Sequence, residues 1–129
     1  MSFCKSISLK KVLQNLKDSD IDEKTGDIIG RFKTGITTIL IYADWCHHCE
    51  ELKLPLCKSW IQISLNSDIH FVCSESKDSD IFKKLEANKK VKTINGFPTI
   101  LKYFNGKFVR KYDGDRTEKK LLEFMLSEE

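Results

Sequence analysis

With 129 residues, 40% hydrophobic and 32% charged, the chain has the make-up of one soluble globular domain, long enough for a sheet covered by helices on both faces. Its net charge of +3 comes from scattered lysines, which argues against nucleic acid as a partner, and no stretch reaches the length of a membrane span. Met1 to Ser6 lacks the apolar run of a secretory leader and Leu126 to Glu129 carries no endoplasmic-reticulum retention signal, so the expected location is cytoplasmic and the expected state a monomer.

In chain order, Leu9, Val12, Leu13 and Leu16 fall at helical spacing and predict an amphipathic first helix ending in the polar run Lys17 to Asp20. Asp22 to Phe32 predicts a second short helix with Ile28, Ile29 and Phe32 facing inward, although Gly26 and Gly30 speak against it. Gly35 then opens an apolar, β-branched run, Ile36 to Tyr42, which reads as a buried strand. Past Trp45-Cys46-His47-His48-Cys49 the pattern turns helical, with Leu52, Leu56, Trp60 and Ile61 on the recurring face. Pro55 is expected to kink that helix, which resumes towards Asn66. Ile69 to Cys73 reads as the next core strand, and Ser79 as the N-cap of a short helix burying Ile81, Phe82 and Leu85. Thr99 to Phe104 and Lys107 to Tyr112, joined by Asn105-Gly106, predict an antiparallel hairpin. Thr117 and Glu118 start a final helix that buries Leu121, Leu122, Phe124 and Met125.

The chemistry concentrates where the central strand hands over to a helix. Unpaired N–H groups of a first helical turn carry partial positive charge, so a thiolate at Cys46 is expected to be stabilised and its pKa lowered. Cys49 returns to the same face and can close a disulfide with Cys46, which makes a dithiol suited to repeated oxidation and reduction. The rival is a metal site. Four consecutive positions at a helix start cannot wrap one zinc tetrahedrally and no second Cys/His cluster exists, so no metal and no cofactor is expected unless two chains share an ion. Of the five cysteines, Cys4, Cys57 and Cys73 show no framework spacing. They read as free thiols of a reducing compartment, Cys57 and Cys73 as small core residues.

Trp45-Cys46-x-x-Cys49, followed about fifty residues later by Gly96-Phe97-Pro98-Thr99, resembles the thioredoxin superfamily over roughly Ile36 to Leu126. The resemblance implies an α/β fold in three layers, a central mixed sheet flanked by helices, with residues 36–126 as the core and 1–35 as N-terminal first elements. It implies that Pro98 is cis and faces the dithiol, that Cys46 is the nucleophile and Cys49 the resolving thiol, and that Trp45, Phe97 and Pro98 form the substrate rim. Within the superfamily, His48 before the second cysteine and Lys111-Tyr112-Asp113-Gly114-Asp115-Arg116 are most similar to protein disulfide isomerase domains. That implies thiolate stabilisation by His48 and modulation of Cys49 by Arg116. Four departures stand out: Leu40 occupies the place of the family's buried carboxylate, His70 that of the accompanying lysine, the helix proline comes one residue late, and His47 replaces a Gly or Pro. His70 is either a strand histidine bonded to a backbone group or a substitute proton relay.

The expected function is thiol–disulfide oxidoreductase: Cys46 forms a mixed disulfide with a cysteine-containing protein substrate and Cys49 resolves it. Thioredoxin reductase, glutathione or a sulfhydryl oxidase would be the electron partner. An isomerase-like dithiol in a reducing cytosol would act as a reductase unless an oxidase recharged it. The virion of a large cytoplasmic DNA virus with its own oxidase reconciles the two features. The alternative from another class is a non-catalytic adaptor or structural virion protein that binds partners through the Pro98 groove.

Overall fold

The computed structural model describes residues 14–63, 66–77 and 79–129. Five strands form one mixed sheet: β1 (Gln14–Asn15), β2 (Ile36–Tyr42), β3 (Ile69–Glu75), β4 (Thr99–Phe104) and β5 (Lys107–Lys111). They lie in the order β1-β3-β2-β4-β5, with β1, β3 and β2 parallel to one another and β4 and β5 antiparallel to their neighbours. Among the described residues, three α-helices flank it: α1 (His47–Ile63), α2 (Ser79–Leu85) and α3 (Glu118–Leu126).

All seven residues of β2 are buried, as its apolar and β-branched pattern predicts for a central strand covered on both faces. Alternation splits them between two cores. Leu40 and Tyr42 face α1 and α3 with Leu52, Leu56, Trp60 and Phe124, while Ile39 and Ile41 pack on the other side with Ile28, Phe32, Ile81 and Leu85. The result is the three-layer α/β/α arrangement the resemblance implied.

Two glycines meet backbone that admits no side chain. Gly35 has φ +80° and a Cβ there would lie 1.9 Å from the Asp68 carbonyl oxygen, where the chain enters β2 beside β3. Gly106 has φ +84° and stands against the Ile28 carbonyl, which lets the β4–β5 turn dock on the loop before β2. With Asn105 also at positive φ, 49°, the hairpin has the primed turn that Asn-Gly favours.

The first third departs from the helical reading. Leu9, Val12 and Leu13 lie outside the described residues, but Gln14–Asn15 is a strand and Asp18–Asp20 a single 3₁₀ turn, so no α-helix runs through Lys17 to Asp20. Over the described residues 14–20 the chain is held by pairing to β3 and by the Asp20 carboxylate. That group is buried, accepts from Lys17 N at 2.7 Å and pairs with Arg31 at 3.1 Å. Asp22 to Phe32 is likewise a loop closed by an Ile21–Ile28 bridge and a 3₁₀ turn at Gly30–Phe32. Ile28 and Phe32 are buried as expected, whereas Ile29 is exposed.

Helix α1 runs through Pro55 without a break in its assignment. The Ser59 hydroxyl lies 3.0 Å from the Pro55 carbonyl and 2.7 Å from that of Glu118, tying α1 to the start of α3. Ile61, counted on the inner face by spacing, is 55% exposed. Helix α2 starts at Ser79, and the N-cap expected there lies outside what is described. Thr117 caps α3 by accepting from Lys120 N at 3.3 Å; Leu121, Phe124 and Met125 are buried and Leu122 only half so.

Candidate active site

Strand β2 ends at Tyr42, and Ala43 to Trp45 turn the chain into α1. That turn is held by Cys46 N donating to the Ala43 carbonyl at 3.0 Å and Asp44 N to the Glu75 carboxylate at 3.4 Å. Burial alone would raise the Glu75 pKa. Donors from Lys77, Ser76 and Asp44 outweigh it and hold the carboxyl below its ordinary range.

Cys46 is the residue immediately before α1, the N-cap position. Its sulfur accepts from Cys49 N at 3.2 Å, the bond that a capping serine or aspartate oxygen makes to the third helical residue. It also lies 3.5 Å from the Phe97 carbonyl, which ties the helix end to the loop holding the cis Phe97–Pro98 peptide. Thr99 fixes that loop from behind through its hydroxyl to the Gly96 carbonyl, 2.6 Å. Cys46 and Cys49 are both free thiols, 5% and 4% exposed. Burial, followed by the hydrogen bond to Cys46, pushes the Cys49 thiol up to about 12; the Ala43 backbone and the Arg116 guanidinium pull the other way.

The rim is aromatic. Trp45 is 76% exposed and meets Phe97 edge-on at 5.8 Å between ring centroids. Phe97 in turn meets Phe82 of α2 at 6.3 Å. Periodicity assigned Phe82 to the inner face of its helix. Its place beside the rim depends on a contact spanning fifteen residues, for which a single sequence carries no signal.

The remaining candidate residues distribute unevenly. His47 pairs with Glu51 one turn along, at 2.7 Å, on the exposed face of α1. His48 is also exposed; its ring centroid lies 6.1 Å from that of His47, and it makes no hydrogen bond to either cysteine sulfur. Arg116 is exposed, and its charge reaches Cys49.

His70 does not belong to the site. It pairs with Thr37 near the start of β2, roughly 16 Å along the sheet from the Tyr42–Glu75 end that leads to the dithiol. Its Nε2 lies 3.0 Å from the Thr34 carbonyl, the backbone satisfaction expected of a strand histidine. The residue beside Leu40 is Cys73, not His70, because the parallel register aligns those two positions. Cys73 is also not the free thiol its spacing suggested. It is fully buried and disulfide-bonded, whereas Cys57 on α1 is free and half-buried, burial raising its thiol pKa. Cys4 lies outside the described residues. Among the described residues no group of three or more His, Cys, Asp or Glu side chains could hold a metal ion.

Similarity to known proteins agrees with this geometry. A thioredoxin domain-containing protein of Theileria parva is 30% identical over 112 residues, covering 84% of this chain and 47% of that protein. Protein disulfide isomerase-like 1-2 of Oryza sativa subsp. japonica is 27% identical over 124 residues, covering 95% and 22%. The chain thus spans less than half the length of these curated relatives. Among solved structures, the first two thioredoxin domains of Naumovozyma dairenensis Eps1p align with TM-score 0.69 at 24% identity, over 92% of this chain and 41% of that one. Human ERp44 form II aligns with TM-score 0.66 at 20% identity, over 92% and 30%. The thioredoxin family model matches residues 27–127, and the chain belongs to that family.

Proposed function

We propose that the chain is a thiol–disulfide oxidoreductase that acts on protein substrates through Cys46 and Cys49. The observation that carries this reading is the position of Cys46 as the N-cap of α1, its sulfur 3.2 Å from a helical N–H and beside an exposed tryptophan. In reduction, the Cys46 thiolate attacks one sulfur of a substrate disulfide and expels the other as a thiolate. Cys49, once deprotonated, attacks the Cys46 sulfur, closes the Cys46–Cys49 disulfide and releases the second substrate thiolate. Two electrons pass from the dithiol to the substrate, and oxidation runs the same steps backwards. Trp45, Phe97 and Pro98 would line the approach to Cys46, and glutathione, a thioredoxin reductase or a sulfhydryl oxidase would restore the starting state.

Insulin reduction in the presence of dithiothreitol tests the reading. Wild type should accelerate precipitation of the insulin B chain and Cys46→Ser should not, while Cys49→Ser should accumulate mixed disulfides with substrate. Equal rates for wild type and Cys46→Ser would refute it and favour an adaptor that binds without turnover.

A further inference from the structure

Resting on that redox reading, we propose that the site selects protein segments carrying aspartate or glutamate close to their reactive cysteine, because Lys89, Lys90 and Lys92 form an uncompensated positive surface on the segment that leads into the cis-Pro loop.

The chain linking α2 to β4 places these charges. Between Ala87 and Pro98 it holds three lysines and no carboxylate. Its apolar residues fix it to the body of the protein: Val91 is 1% exposed and Ile94 9%, both in the core against which Phe97 packs. Asn88 closes a turn, its carbonyl accepting from Val91 N at 3.0 Å and its side chain from Lys90 N at 2.9 Å. Lys92 has a left-handed backbone, φ 63°, between the two buried anchors, and all three lysines are exposed. The surface is therefore held in place before any partner arrives.

Nothing on the protein neutralises it. The carboxylate that precedes the lysines, Glu86, accepts from Ile94 N instead. Among the described residues none of the three lysines is in an ion pair. On the α1 side of the dithiol the charges are of the other sign. Glu50 is paired with Lys53 at 3.2 Å and Glu51 with His47 at 2.7 Å, and Asp44 is exposed beside Trp45. The cis-Pro side is thus the one that attracts an anion.

Reach connects this surface to the chemistry. The Cys46 sulfur lies 3.5 Å from the Phe97 carbonyl, and Lys92 precedes Phe97 by five residues. That stretch spans at most about 17 Å, which an extended substrate covers in about five residues. A carboxylate within that separation of the substrate cysteine comes within reach of the lysines while its sulfur is at Cys46. The aromatic rim accepts apolar side chains of many kinds; the lysines add the selection by charge.

Peptides whose single cysteine is activated as a 2-pyridyl disulfide test this, with reduced protein in a Cys57→Ser background. The Cys46 thiolate attacks the peptide sulfur, forms the mixed disulfide and expels the 2-thiopyridyl group, whose absorbance reports the rate. One peptide carries glutamates flanking the cysteine and the other glutamines, and each rate is divided by that of the same peptide with 2-mercaptoethanol. The glutamate peptide should react about tenfold faster at about 20 mM salt, and the advantage should fall below about twofold at about 0.5 M. Lys89→Gln, Lys90→Gln and Lys92→Gln combined should bring it below about twofold at low salt as well. No advantage in wild type, or one that survives in the triple variant, overturns the proposal. Should that variant fail to fold, a wild-type advantage unmoved by salt overturns it alone. A wild-type rate equal to that of Cys46→Ser overturns the redox reading itself, and this inference with it.

Discussion

Lys102 provides a stability test that the fold poses on its own. It sits in the middle of β4 with no exposed surface, its ammonium 2.8 Å from the Ser127 and Glu129 carbonyls and 4.2 Å above the Phe124 ring. Burial, and then repulsion from Arg110, lowers its pKa from 10.5 to about 8, against the opposing pull of Glu129. The unfolded chain therefore binds more protons at this residue than the folded chain between those two values, and stability should rise with pH across that window. Below pH 8 the charged lysine costs the fold about 3 kcal/mol, and about 2 kcal/mol of that should be recovered between pH 7 and pH 10. Lys102→Met keeps the volume and removes the titration. Urea unfolding of both proteins at pH 7 and pH 10 isolates the residue, since every other group titrates alike in each. Wild type should gain about 2 kcal/mol relative to the Met variant at the higher pH. Parallel pH profiles for the two proteins would show that the ammonium is as well solvated in the fold as in the unfolded chain, and would refute the argument.

Two further substitutions address the residues flanking the chemistry. His70→Leu should leave the rate at which Cys49 resolves a Cys46 mixed disulfide unchanged, because the ring lies at the far end of β3, and should cost about 1 kcal/mol in urea unfolding through the lost bond to the Thr34 carbonyl; slower release of a substrate thiol from Cys46 in this variant than in wild type, followed by acid quench, would refute that. His48→Ala should lower the potential of the Cys46/Cys49 pair, measured against glutathione, by less than about 30 mV, since an exposed ring bonded to neither sulfur acts only through screened charge. A larger drop would mean that the imidazole closes on Cys46 in the reduced state.

What could be read from the chain alone was what depends on local pattern. The apolar and β-branched run of β2, the Asn105-Gly106 turn, the Thr117 cap and the placement of two cysteines at a strand-to-helix junction follow from side-chain periodicity and from which residues tolerate a turn or a cap. Those elements carried the layer arrangement and the position of the cysteine pair with them. Pairing across the sheet decided the rest. Gln14 and Asn15 are a strand because β3 offers hydrogen bonds there, a contact nearly sixty residues distant that no local pattern announces. Register put Cys73 rather than His70 beside Leu40; a shift of three residues along one strand is invisible until its partner is in place. Lys102 reads as an ordinary polar position in a strand until α3 folds across it, because burial of a charge is a property of the elements that cover it rather than of its neighbours in sequence.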